Sequence, residues 1–274
     1  MKKIHHIICL ALAILTLALC FTGCGSKNAS VLDKIKKSGE LKLYTEAGFA
    51  PYEFLYNNEI VGVDIEIMKE VAGTIGVELV VEDVNFNTIC TAVKNGKCDV
   101  GAAGITITDE RKETIDFSQP YTSTAQYVVV LSDNNDIAVV EDMAGKSLGV
   151  QQGTTSDIIV ENLINDGTLA GATSSGFTAP AVAAASLGKL DAVVTDKLTA
   201  ETIVANNGGK FKCFELVKAD GSPAAEIEYY GIAVAKGNTE LLAVIDGVLT
   251  KLKEDGKISA WEQEYQDLAK GLEG

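Results

Sequence analysis

Histidine is almost missing from this chain. It occurs twice in 274 residues, at His5 and His6, while tryptophan and arginine occur once each, at Trp261 and Arg111. Beyond the sixth residue no imidazole is available as general base, triad member or metal ligand, which excludes the commonest forms of acid–base and zinc chemistry. Positive charge is scarce as well, since 23 Lys and Arg against 38 Asp and Glu leave a formal charge of −15. So acidic a surface is unsuited to nucleic acid or anionic lipid. None of the spacings among the six cysteines resembles a zinc site, and no metal or other cofactor is expected. Apolar residues, in contrast, make up 47% of the chain, enough over this length to bury a full core in one large or two modest domains.

The positively charged start, Met1 to His6, leads into the apolar run Ile7 to Phe21, too short and one-ended for a comfortable membrane span. It reads as a secretory signal. The run closes on Phe21-Thr22-Gly23-Cys24 and resembles a bacterial lipoprotein signal, which implies cleavage before Cys24 and a lipid on that cysteine. A retained anchor helix or an ordinary cleaved signal is the alternative. Residues 1–23 are assigned to this leader, and 24–30, small and polar from Gly25 to Ser30, to a flexible tether. Losing the leader removes Lys2, Lys3 and both histidines but no acid, which takes the formal charge from −15 to −17. Cys9 and Cys20 leave with it. The odd remainder, Cys90, Cys98 and Cys213, reads as buried free thiols, with a Cys90–Cys98 bridge as the alternative.

From Val31 onward, strands and helices alternate, which predicts α/β architecture with largely parallel sheets and ligands at the carboxyl ends of the strands. The strand Leu41 to Tyr44 opens into Thr45 to Phe54, an aromatic loop that also holds Gly48 and Pro51. Tyr52 and Phe54 are expected to pack on their own domain, and Phe49, at the strand exit, to face a site. Asp64 is expected to cap a helix carrying Ile67, Met68, Val71 and Ile75, followed by a buried strand from Val77 to Val81. Phe86 opens the next helix. Polar residues near Thr122 to Thr124 mark a crossing, after which a second α/β pattern begins, with a return crossing within Ala224 to Tyr229. The expected lobes are 31–121 with 230–274, and 126–223, joined at 122–125 and 224–229. Trp261, in the last helix, reads as a core anchor.

The chain is organised around Gly101 to Arg111. A short strand there empties through small residues into Thr108, an N-cap followed by acidic residues, and helix starts of this kind favour an anion. Arg111 follows. A guanidinium grips a carboxylate with two parallel hydrogen bonds, whereas the bland alternative is a surface ion pair with Glu110 or Glu113. A second glycine–hydroxyl helix start, Gly153-Thr154-Thr155, suits the other side of the same carboxylate. There is also an internal echo: Gly96-Lys97-Cys98-Asp99 in the first half is matched by Gly188-Lys189-Leu190-Asp191 in the second. Gly104 and Asp196 each lie five residues beyond the matched aspartates, which puts them at equivalent strand ends. Asp196 would hold an ammonium, unless it only caps the helix that follows. Burying a zwitterion is costly unless both ends are paired, so one arginine facing one aspartate fits a free amino acid, with Phe49 and Phe86 flanking its aliphatic part.

These motifs, with Phe49 to Phe54, Val61 to Ile65, Gly104 to Arg111, Asp116 to Tyr121 and Gln152 to Thr155 occurring in order, resemble the amino-acid-binding family of extracellular solute-binding proteins that serve ABC importers. The resemblance implies two α/β lobes joined by two crossing segments and closing on the ligand. It implies that Arg111, the N–H of Thr106 and the Thr154-Thr155 turn bind the α-carboxylate, and that Asp196 and the Gly104 carbonyl hold the α-ammonium. Phe49 and Phe86 fall on the ring-stacking positions, and Glu46 on a position that meets the ligand side chain, tilting the cargo towards a polar or cationic amino acid. Ala102 and Ala103 stand where some binders of basic amino acids carry serine. The resemblance further implies a permease and its ATPase as partners, a monomer, and a lipid-anchored place on the outer face of the membrane. The fold also hosts enzymes and sensors; a dehydratase-like enzyme would have Glu46 as its only obvious acid or base.

Overall fold

The computed structural model describes residues 29–271. The expected leader, the lipidated Cys24 and most of the tether lie outside the described residues. The first half runs α1 (Val31–Ser38), β1 (Glu40–Thr45), β2 (Gly48–Phe49), β3 (Glu53–Tyr56), β4 (Glu59–Val61), α2 (Val63–Ile75), β5 (Glu78–Asp83), α3 (Phe86–Lys94), β6 (Val100–Gly101), α4 (Asp109–Thr114) and β7 (Ile115–Phe117). After β8 (Thr122–Thr124) come β9 (Gln126–Leu131), β10 (Ser147–Gln151), α5 (Thr155–Asn165), β11 (Thr173–Phe177), α6 (Pro180–Ala184), β12 (Ala192–Asp196), α7 (Lys197–Asn206) and β13 (Phe211–Glu215). The chain closes with β14 (Glu228–Tyr230), β15 (Ala233–Ala235), α8 (Thr239–Glu254) and α9 (Lys257–Ala269).

Two five-stranded sheets result, ordered β5-β1-β6-β15-β7 and β11-β10-β12-β9-β13. In each, three parallel strands come first and two more add through antiparallel pairing. β6 and β12 therefore hold the same place in their sheets. Beside each lies the strand that enters straight after a crossing, β15 next to β6 and β9 next to β12. The crossings themselves, β8 and β14, pair antiparallel as a two-stranded ribbon, with Glu228 opposite Thr124 and Tyr230 opposite Thr122.

Local chemistry accounts for the element ends. Ser30 and Asp33 form a reciprocal capping box at α1, and Gly39 closes the helix in the left-handed region. Thr108 caps α4 and Thr154 caps α5 through their hydroxyls. Three expectations need correction. The cap of α2 is Gly62, and Asp64 lies inside the first turn, fully buried, with its carboxylate committed elsewhere. β5 is an edge strand, exposed at its ends and half-buried from Leu79 to Val81, because only β1 pairs with it. Trp261 is half-buried on the margin of the first core, whereas the buried anchors of that helix are Ile258 and Ala269. α9 also touches α7, a helix of the second sheet: Asn206 Nδ2 donates to the Ala269 carbonyl (2.7 Å) and Gln266 Nε2 to Glu201 (3.2 Å).

Candidate functional site

The carboxyl ends of β1, β6, β10 and β12 face one another across an enclosed cavity. Phe49, Phe86, Ala103, Gly104 and Thr106 line it from the first sheet's side, and Gln151, Thr154, Thr155 and Asp196 from the second's. Gly104 is required there. Its φ is +53°, and a Cβ at that position would lie 2.6 Å from Phe49 Cε1. Phe49 is pinned in turn by a ring cluster, with Tyr52 stacked at 5.8 Å and Tyr230 edge-on to Tyr52 at 5.1 Å. Underneath, Asp64 Oδ2 accepts the Gly104 N–H (2.9 Å), which explains why that carboxylate does not cap α2. Glu53, also fully buried, lies against Asp64 with no cation beside either among the described residues, and burial raises both carboxyls, Asp64 to about 6.

Arg111 does not form the surface ion pair. Its guanidinium turns inward, donating to the carbonyl of Thr106 (2.8 Å) and, across the cleft, to that of Gly153 (3.2 Å), and burial lowers its pKa. It lies 5.6 Å from the centre of the Phe86 ring, so Phe86 supports the cation as well as the cavity wall. Arg111 and Glu46 stand behind the residues that line the cavity. Glu46 Oε2 accepts from Gln151 Nε2 across the lobes (3.0 Å), and burial pushes its carboxyl up to about 7.

Asp196 makes no cap bond to α7. It is 5% exposed, its Oδ1 accepts from Gln126 Nε2 (3.2 Å), and burial with the nearby Glu228 carboxylate pushes it up to about 8. Gln126 and Glu228 are the residues that sequence reasoning missed. Gln126 Nε2 also donates to Glu228 Oε2 (3.1 Å), which accepts from the hydroxyls of Thr155 (2.9 Å) and Thr106 (3.3 Å). Ser156 holds the other end of the amide, donating to Gln126 Oε1 (2.7 Å). The one hint in the sequence was position, since Gln126 directly follows the first crossing and Glu228 lies within the second. The cleft is shut by further bonds between the two sides, from Asn87 to Gln152 (3.3 Å) and from Thr199 to the Ala50 carbonyl (3.1 Å).

A model of the bacterial extracellular solute-binding proteins, family 3, matches residues 30–267. The chain belongs to the bacterial extracellular solute-binding proteins, family 3. That membership places this family 3 protein outside the cytoplasm. The arginine-binding extracellular protein ArtP of Bacillus subtilis is 29% identical over 275 residues, which span 97% of this chain and 98% of ArtP. Among solved structures, the substrate-binding protein AbpA of Streptococcus pneumoniae, bound to L-arginine, superposes with a TM-score of 0.79 at 28% identity. The superposition covers 86% of this chain and 98% of AbpA. The ancestral amino acid-binding protein AncCDT-1, a precursor of cyclohexadienyl dehydratase, superposes at 0.74 with 31% identity, covering 86% and 99% of the respective chains.

Proposed function

We propose that this solute-binding protein captures a free L-amino acid, with L-arginine as cargo, by closure of its two lobes and delivers it to an ABC permease and its ATPase. Arg111, the N–H of Thr106 and the start of α5 at Thr154 and Thr155 take the α-carboxylate. Asp196 and the Gly104 carbonyl take the α-ammonium, Phe49 and Phe86 flank the aliphatic chain, and Glu46 meets the far end. The lobes are 31–121 with 230–274, and 126–223, hinged at 122–125 and 224–229.

The observation that carries the choice of arginine is the charge balance of the shut cleft. The shut cleft holds one guanidinium and three carboxylates, Asp196, Glu46 and Glu228, and burial raises the pKa of all three. Carboxyls rise in this way when they are buried with too little positive charge around them. A neutral zwitterion brings no net charge to such a site. A cationic amino acid brings one extra positive charge at the end where Glu46 waits, and the likeness to arginine-binding relatives agrees with it. Cys24 carries the lipid that tethers the monomer to the outer face of the membrane.

A dehydratase-like enzyme is the second reading. It is favoured by the likeness to a dehydratase precursor and by Glu46, whose carboxyl near 7 suits a general acid. Calorimetric titration of the protein, stripped of carried-over ligand by unfolding and refolding, against the standard amino acids separates them. Tight binding of L-arginine, at least about ten-fold stronger than L-glutamine and with the ligand recovered unchanged, supports capture. Conversion of an added ligand supports the enzyme, and preference for an uncharged amino acid overturns the charge-balance argument.

A further inference from the structure

We propose that Glu228 is the latch of the closed cleft, a positioning residue that joins the hinge ribbon to both lobes at once and so sets how long a bound amino acid is retained. The inference rests on amino-acid capture by lobe closure. Its Oε2 accepts from Thr106, which follows β6 on the first side, and from Gln126 and Thr155 at the start of β9 and α5 on the second. The two threonine hydroxyls approach each other to 3.4 Å across the cleft. Glu228 itself belongs to neither sheet: it sits in β14, opposite Thr124 in the ribbon between the lobes. Whichever lobe the ribbon follows on opening, the carboxylate loses the donors of the other. Its full set of hydrogen bonds therefore exists only when the cleft is shut.

Two consequences reach the ligand through neighbouring groups. Glu228 holds the hydroxyls of Thr106 and Thr155 away from the cavity, which leaves their backbone N–H groups and Arg111 to grip a carboxylate. Through Gln126, whose one amide nitrogen donates to both Glu228 and Asp196, it also fixes the carboxylate proposed for the ammonium. Charge-assisted bonds to a half-buried carboxylate are stronger than neutral ones, and Gln in its place keeps the shape while giving up the charge.

Because the latch is complete only in the shut state, its loss should appear in release and not in encounter. Stopped-flow fluorescence with L-arginine is therefore expected to show about ten-fold faster dissociation for Glu228→Gln, with the association rate unchanged and the thermal midpoint close to that of wild type. Thr155→Val keeps the backbone N–H but removes the hydroxyl, and serves as a second variant. In a latch the two changes are coupled, so the double variant releases L-arginine little faster than the more affected single one. Multiplicative effects, or unchanged release in Glu228→Gln, overturn the latch. Failure of the wild-type protein to bind L-arginine overturns the cargo reading instead, and the same cycle is then run with whichever standard amino acid wild type binds. Binding of none of the standard amino acids overturns the capture reading on which the latch depends.

Discussion

In the proposed site Arg111 takes the anionic end, with its guanidinium held in place by the fold before any ligand arrives. One N–H is spent on the Thr106 carbonyl and one on that of Gly153, and Phe86 supports the face of the guanidinium. Arg111→Lys is expected to cost roughly 2–3 kcal/mol of amino-acid affinity in calorimetry while leaving the thermal midpoint within about 2 °C, since an ammonium cannot reproduce the planar fork. Gly104→Ala tests the opposite wall. The new methyl meets Phe49 at 2.6 Å in a backbone conformation that disfavours side chains, so affinity is expected to fall at least about ten-fold as Phe49 is displaced. A Gly104→Ala protein that binds as wild type would show that Phe49 can move without cost.

At the scale of elements, the two sheets place equivalent strand ends opposite each other, which is why the echo between Gly96-Lys97-Cys98-Asp99 and Gly188-Lys189-Leu190-Asp191 pointed to Gly104 and Asp196. The start of α5 depends on the Thr154 hydroxyl, which accepts the Asp157 N–H and donates to the Gln151 carbonyl (2.8 Å). Thr154→Ala is expected to lower stability by about 1 kcal/mol in denaturant titration and to weaken binding as well, because the same turn carries Thr155. α2 was legible as an amphipathic helix, but its first turn was misread. A buried aspartate near a helix start looks like a cap in sequence, and only the fold, which brings the Gly104 N–H onto it, shows the carboxylate holding Gly104.

The whole molecule couples proton binding to stability. Burial raises Asp64 from an ordinary 3.8 to about 6, and Glu53 beside it rises too. A carboxyl raised in the folded state favours folding fully at low pH, and that contribution is lost as pH climbs from the unfolded value through the folded one. The ligand-free protein is therefore expected to lose roughly 1–3 kcal/mol between about pH 4 and pH 6 in denaturant titrations from this pair. Asp64→Asn should flatten that slope, since it cannot ionise yet still accepts from Gly104; an unchanged slope would mean that the pair is not its source. The proposed closure is likewise a property of the whole chain. Small-angle scattering is expected to show a smaller radius of gyration on adding L-arginine, with no contraction in Arg111→Lys at the same concentration.

Composition and local pattern by themselves determined that this protein is acidic, lacks histidine past its first six residues, and folds as alternating strands and helices with two glycine–hydroxyl helix starts and one arginine. Those features are written in neighbouring residues, where period, caps and spacing act over a few positions. The tertiary structure alone decided that Asp196 lines the cleft instead of capping α7, that Asp64 props Gly104, and that Gln126 and Glu228 bond to each other and to Thr106 and Thr155 beside the crossings. The hydrogen bonds responsible span 40 residues from Asp64 to Gly104, 70 from Gln126 to Asp196 and 122 from Thr106 to Glu228. A polar side chain declares its partner only once burial has removed water and left one donor within reach.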